Sequence, residues 1–324
     1  MRSMVVVCMA LLAQAGVAGQ IHHNELASVQ LGRSWNYWLY MPDEPPHMVL
    51  YLLHGHGGEG HDWIDQGDVP ALLDRLIGED RLPPVVAVMP DAGTSWYVNS
   101  SKGAMESAFM EDLLPTVESA VGIRLQRDER AMMGVSMGGY GALRLAMRYP
   151  ERFGAAALLA PACYVPLPPE DSGARSAGVF GKAGFNPVIW MRHNYPAYWD
   201  GFVAKGLALP LFVGSGDDDH YDTEAQATLL YERLQRAGLP AQLRIVDGGH
   251  DWSTWKSMEE EALDYLAQSL ENLDKVATRH SSVPRQVPLA AGHDPSHPDH
   301  RAQTNEAAFF EPRTAINVKE NERP

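Results

Sequence analysis

Gly134-Val135-Ser136-Met137-Gly138-Gly139 sets a serine with a glycine two places away on either side. This G-x-S-x-G pattern suits a sharp turn between a strand and a helix, where the backbone is strained and the flanking positions must lack side chains. Such a turn lifts the hydroxyl into the open at a helix N-terminus, where developing negative charge is favoured. A serine hydroxyl is a weak nucleophile and needs a base. Gly248-Gly249-His250-Asp251-Trp252 offers His250 as that base, and Gly214-Ser215-Gly216-Asp217-Asp218-Asp219 offers an acid between the two. The order serine, acid, histidine is the one this turn motif takes. The acid fixes the imidazole tautomer and stabilises the imidazolium. Three consecutive carboxylates cannot all face one imidazole, so residue chemistry alone leaves Asp217, Asp218 and Asp219 open. The others serve as solvent-facing charge or as an N-cap for a helix beginning near Thr223.

Leu53-His54-Gly55-His56-Gly57-Gly58 supplies a glycine-rich loop whose backbone N–H groups can approach a reacting carbonyl. An oxyanion hole is expected from the N–H of Met137 and that of His56. A rival reading joins His54, His56, His61 and Asp62 as metal ligands; the wide gap between His56 and His61 and the lack of a downstream ligand set argue against it. The serine chemistry itself calls for no metal and no cofactor. Cys163, within the apolar run Leu158-Leu159-Ala160-Pro161-Ala162, is expected to be an inert buried thiol.

These residues need a scaffold. Short apolar runs bounded by Gly, Pro or Asp recur at Met48–Leu53, Val85–Met89, Arg130–Val135, Ala155–Ala160, Leu209–Val213 and Ala241–Val246. They suit strands buried on both faces of a parallel sheet. Between them, Val69–Ile77, Glu106–Val121, Gly139–Arg148, Thr223–Ala237 and Ser257–Asn272 carry apolar residues at helical spacing. The alternation predicts an α/β fold, a mostly parallel central sheet flanked by helices. The aromatic stretch from Trp35 to Met41 reads as an early antiparallel strand. Residues 164–206 break the rhythm with prolines, glycines and scattered aromatics. They are a long insertion, either a wall of the site or a surface excursion with its own small cluster.

The ends read differently. Met1-Arg2-Ser3, an apolar run from Met4 to Ala13 and small residues at Ala15, Gly16, Ala18 and Gly19 form an export signal over residues 1–19, cut near Ala18 or Gly19. The run is too short to span a bilayer. Cys8 would leave with it, so the mature chain holds Cys163 alone and no internal disulfide. The domain is expected over residues 20–275, and residues 276–324, rich in Pro and polar residues, as a disordered tail. His293, His297 and His300 in that tail make at most a loose metal cluster. A net charge of −15 with no basic patch argues against nucleic acid and anionic membrane surfaces as partners.

Taken in order, Leu53-His54-Gly55, the stretch from Met89 to Tyr97, Gly134 to Gly139, Leu159-Ala160-Pro161 and Gly249 to Trp252 resemble the esterase-D-like branch of α/β-hydrolases. That branch includes S-formylglutathione hydrolases, feruloyl and acetyl esterases and mycolyltransferases, and the resemblance covers roughly residues 30–270. It implies an α/β-hydrolase fold and a serine esterase acting on small-molecule or carbohydrate acyl esters. The family's acid lies three residues after a glycine, which points to Asp219, although Gly214 to Asp217 matches by the same count. Ser95-Trp96-Tyr97 resembles the family's lining of the active-site mouth, which implies that Trp96 and Tyr97 bind substrate; packing in the core is the plainer role for both. An export signal departs from the cytosolic thiolester hydrolases and fits secreted or periplasmic ester substrates. Two other functions fit the fold: acyl transfer to a sugar or alcohol, and a non-catalytic binding protein.

Overall fold

The computed structural model describes residues 18–122 and 125–281, with side chains to residue 275. The expected leader before residue 18 and the expected tail beyond residue 281, with its three histidines, lie outside the described residues.

Among the described residues, ten strands form in chain order: β1 (Gln20–Ser28), β2 (Arg33–Met41), β3 (Met48–Leu53), β4 (Val85–Pro90), β5 (Asn99–Ser100), β6 (Gly103–Ala104), β7 (Arg130–Val135), β8 (Ala155–Leu159), β9 (Leu211–Gly216) and β10 (Ala241–Val246). β5 and β6 make a small hairpin. The other eight form one sheet in the order β1-β2-β4-β3-β7-β8-β9-β10. β2 is antiparallel to both its neighbours, and every pairing from β4 to β10 is parallel. The α/β expectation therefore holds. β3, β4, β7 and β8 are buried along their whole length, as helices on both faces require. Two core clusters lie on the two faces, one around Tyr51, Phe109, Tyr140 and Trp190, the other around Leu50, Trp63, Met133 and Leu266.

Several elements differ from the sequence reading. β1 was not expected; it is an edge strand, largely exposed, so it lacks the apolar run that marks an inner strand. β10 is the opposite edge and is not buried on both faces; its Arg244 points outward to pair with Glu261. β9 extends through Gly216, beyond the expected end at Val213 where the glycines begin. Those glycines make room: a Cβ at Gly216 would strike the Gly248 carbonyl, and one at Gly214 would press on the Met258 sulfur. The final helix spans Trp252–Ser281, past the expected domain end at 275.

Parallel strands carry their loops at their carboxyl ends to one edge of the sheet. The loops after β3, β4, β7, β8, β9 and β10, with the first turn of the final helix, bring together residues scattered from 54 to 255.

Candidate active site

Ser136 follows β7 and stands at the head of the helix Met137–Arg148. Its φ of +54° and ψ of −114° place it in a region that side chains normally avoid. Three backbone bonds hold it there: its N–H donates to Leu159 O at 2.9 Å, and its carbonyl accepts from Tyr140 N–H at 3.0 Å and Ala162 N–H at 3.1 Å. The flanking glycines are sterically required. A Cβ at Gly134 would meet the Gly138 backbone, and one at Gly138 would meet the carbonyls of Leu53 and His54. That second contact seats the loop after β3 directly against the turn.

His250, on the loop after β10, places Nε2 2.9 Å from Ser136 Oγ. Its Nδ1 lies 2.6 Å from Asp219 Oδ2. The Asp219 side chain is wholly shielded from solvent, and that of His250 is 10% exposed. Asp219 Oδ1 accepts from Tyr221 N–H at 2.9 Å, and Oδ2 also accepts from Thr223 Oγ1 at 2.5 Å. Burial alone would raise the Asp219 carboxyl; the hydrogen bond and charge of His250, with the donors Thr223 and Tyr221, outweigh it and hold the group below its ordinary value. Because a carboxylate only accepts, Nδ1 carries the proton and Nε2 is free to take one from Ser136. Thr223 likewise donates to Asp219, so Ser215 Oγ, 2.8 Å away, donates to Thr223. All three side chains are buried. Asp217 and Asp218 are exposed; Asp217 Oδ1 accepts the Gly248 N–H, and neither reaches His250.

A cavity of about 260 Å³ opens over Ser136 and His250, lined by Gly55, His56, Trp96, Tyr164, Tyr221 and Trp255 among others. Tyr221 and Trp255 meet the His250 ring edge-on at 4.9 and 5.2 Å, fixing its plane. Trp96 joins the wall. Tyr97 does not: its ring is fully buried, its hydroxyl donates to His54 O at 3.2 Å, and it fills the space that Gly141 leaves open. The two are neighbours with φ of 54° and 52°, a twist that sends one ring to the cavity and the other to the core.

The insertion closes one side. It contributes Tyr164, Ser172 and Gly173 to the cavity, with Gly173 packed on the His56 ring. It is anchored in the core: Trp190 stacks on Tyr140 at 5.4 Å, and Tyr140 Oη and Arg144 Nε both donate to His193 O. A buried Arg144–Glu106 pair at 2.7 Å underlies that contact. The insertion thus combines both expected roles.

The candidate histidine cluster does not converge. His54 Nε2 accepts the Ala92 N–H at 2.9 Å, so Nδ1 donates to Gly55 O at 2.7 Å, and both nitrogens are used. Burial keeps this imidazole below its usual value, hence neutral. His54 ties the loop after β3 to the loop after β4. Asp62 accepts from Glu59 N–H and Gln66, and His61 sits between Glu59 and Asp65. Cys163 is buried, and burial pushes its thiol up to about 12, so no thiolate forms near neutral pH.

The sequence reading missed Tyr164, Ser172, Tyr221, Thr223 and Trp255. Tyr221 and Thr223 follow Asp219 closely, and Trp255 lies one helical turn past Asp251, so proximity to the acid and base was the available signal. Trp252, which the family motif includes, packs against Trp63 at 5.2 Å instead of lining the cavity.

The sequence profile of the family described as "Putative esterase" matches residues 28–263. The chain belongs to this esterase family. An endo-1,4-beta-xylanase/feruloyl esterase of Xylanibacter ruminicola is 27% identical over 228 residues, covering 68% of this chain but 26% of that protein. An acetyl esterase of Caldicellulosiruptor saccharolyticus is 25% identical over 241 residues, covering 71% of this chain and 84% of the other. The chain thus spans about a quarter of the first relative's length and most of the second's. Among solved structures, a ferulic acid esterase superposes with a TM-score of 0.68 at 25% identity, over 78% of this chain and 98% of that one. An S-formylglutathione hydrolase from Agrobacterium tumefaciens gives 0.63 at 19% identity over 78% and 96%, a likeness of fold. Esterase-family membership and the α/β-hydrolase fold agree with the resemblance read from the motifs. No helix among the described residues is long and apolar enough to cross a membrane.

Proposed function

We propose that this esterase-family chain is a serine carboxylic-ester hydrolase working through an acyl-enzyme on Ser136. One observation carries the reading: the unbroken series Ser136 Oγ, His250 Nε2, His250 Nδ1 and Asp219 Oδ2, with separations of 2.9 Å at one end and 2.6 Å at the other. Ser136 Oγ bonds to the ester carbonyl carbon as its proton passes to His250 Nε2. The carbonyl oxygen becomes an oxyanion, received by the N–H groups of Met137 and His56. Met137 opens its helix, so its N–H has no carbonyl one turn back within that helix. Each such donor contributes about 3–4 kcal/mol to the transition state. The C–O bond to the alcohol then breaks, and the leaving oxygen takes the proton from His250. Water attacks the acyl-serine with His250 again as base, releasing the acid and restoring Ser136. Asp219 holds the tautomer and stabilises the imidazolium throughout. Trp96 forms part of the wall that the bound ester meets.

The substrates are small-molecule or carbohydrate acyl esters outside the cytoplasm. Support comes from the feruloyl and acetyl esterase names of the relatives and from the leader-like residues 1–19. A fluorophosphonate probe should label Ser136 in the folded protein, with the adduct located by peptide mass spectrometry, and Ser136→Ala should abolish both labelling and hydrolysis of p-nitrophenyl acetate. Wild-type protein that is folded yet unlabelled defeats the acyl-enzyme reading and favours a binding role. A panel of nitrophenyl, feruloyl and acetyl-sugar esters, run with and without a sugar acceptor, identifies the acyl group. A dominant transfer product would make the chain an acyltransferase.

A further inference from the structure

At the start of β1, Gly19 is held in a socket that suits a chain terminus. Its nitrogen lies 2.8 Å from Asp74 Oδ1, on the helix Val69–Gly78. Tyr40 Oη, from β2, donates to the same carboxylate oxygen at 2.7 Å. A Cβ on Gly19 would run into the Tyr40 ring, so the socket takes a glycine and nothing larger without displacing that ring. Tyr40 is 1% exposed and cannot easily yield. Asp74 is half-buried, and among the described residues no Lys, Arg or His pairs with it. A carboxylate so placed, with two neutral donors and no cation, lacks a charge partner.

We infer that the leader is removed at the Ala18–Gly19 bond and that the Gly19 ammonium released by the cut becomes the charge partner of Asp74. Gly16 and Ala18 then occupy the third and first positions before the cut, where an export-pathway leader protease requires small residues. Ala13 and Ala15 offer an equally good small pair three residues earlier, so sequence alone leaves the bond open. The socket separates them, since only a cut at Gly19 puts a charged terminus on Asp74. The step is a hydrolysis: the Ala18 carbonyl carbon gains hydroxyl from water and the Gly19 nitrogen gains the remaining proton, and the new carboxylic acid then gives up its own proton to the amine, leaving a carboxylate on Ala18 and an ammonium on Gly19. An amide N–H becomes an ammonium without moving the backbone, and a neutral hydrogen bond becomes a charge-assisted one. Processing would thereby fasten the edge strand β1 onto both β2 and the Val69–Gly78 helix.

The inference rests on the proposed export of the chain, and the test keeps the two apart. The full chain is expressed with its leader in a Gram-negative host, and the exported product is examined by intact mass and N-terminal sequencing. Gly19 as first residue supports the inference. Uncut protein retained inside the cell defeats export itself, whereas an exported product beginning at Gly16 or Gln20 defeats only the socket. Independently, protein released from a cleavable fusion to begin at Gly19 is compared with protein beginning at Ala18. The Gly19 form should melt about 2–4 °C higher at pH 6.5. That margin should vanish in Asp74→Asn. It should also fade as pH rises past the ordinary α-amino value of about 8, because an ammonium paired in the folded state is favoured there below its titration and lost above it. Equal melting temperatures for the two wild-type forms, or a margin that survives Asp74→Asn, overturn the inference.

Discussion

Asp219→Asn tests the proposed relay most severely, because the substitution preserves shape and changes only charge and one lone-pair set. Asp219 answers three donors: Tyr221 N–H at Oδ1, and Thr223 Oγ1 and His250 Nδ1 at Oδ2. An asparagine has one acceptor and one donor end. With its oxygen kept beside His250, its NH₂ faces the Tyr221 N–H, two donors together. With the amide turned over, its NH₂ faces Nδ1, which must then give up its proton to Nε2. That tautomer presents a donor to Ser136 and cannot accept from it. Either way the imidazolium loses a full negative charge at 2.6 Å. In a site this shielded an effective dielectric of about 20 applies, giving an attraction of about 6 kcal/mol. The amide dipole returns part of it, so the expected loss is about 4–6 kcal/mol, or about 10³–10⁴ in kcat. The assay is the kcat of purified Asp219→Asn on p-nitrophenyl acetate from pH 6 to 9, beside Asp217→Asn and Asp218→Asn, which should retain most activity. Retention of more than about a tenth of kcat in Asp219→Asn, or a larger loss at either neighbour, refutes the assignment.

Three further outcomes follow from the same geometry. Thr223→Val removes one hydrogen bond to a charged group and should lower kcat about tenfold with KM little changed, while Thr223→Ser restores it; equal loss in both would assign the effect to packing. Gly138→Ala drives a Cβ into the Leu53 carbonyl and should cost about 3 kcal/mol or more, lowering Tm by about 10 °C in a thermal melt; a melt within about 2 °C of wild type would contradict this. Glu259, 1% exposed with an unpartnered Oε1, has its carboxyl raised to about 8, chiefly by burial. Between 4.5 and 8 the folded state holds a proton that the unfolded state has released, so this group makes stability fall as pH rises. The gain of Glu259→Gln over wild type should grow by about 4 kcal/mol between pH 5 and pH 9 in urea titrations, and a gain independent of pH would rule this out.

Much of the scaffold was legible because inner parallel strands are buried on both faces and therefore read as unbroken apolar runs. β3, β4, β7 and β8 appear in the sequence at nearly their observed bounds. The two edges were harder for the same physical reason. β1 meets solvent along most of its length and so carries His22, His23, Asn24 and Glu25, which no hydrophobic period reveals. At β10 the sequence shows Leu243 and Ile245 without showing that Arg244 and Gln242 reach across to Glu261. The placement of Ser136 beside His250 was legible because the proposed chemistry imposes a local pattern, glycines around a strained serine and a histidine after the last strand.

The candidate acid was different, since which carboxylate meets His250 depends on where a strand stops. Glycine in a sequence reads as a break, and a break after Val213 would let the chain turn early and bring Asp217 toward the histidine. The chain instead stays extended through Gly216, whose missing side chain admits the Gly248 backbone alongside. The turn is thereby delayed. Asp217 and Asp218 fall in the exposed bend, their backbone N–H groups tied to Val246 O and Gly248 O, and Asp219 is the first residue to point back inward. The glycine that obscured the strand end in the sequence is the one that places Asp219, and not Asp217 or Asp218, beside His250. The same close approach sets His250, because Gly248, with φ of 139°, crosses Gly216 two residues before the imidazole. Asp219 and His250 are thus registered to each other through one glycine–glycine crossing. A side chain at either position should separate Asp219 from His250 while leaving Ser136 and its turn in place.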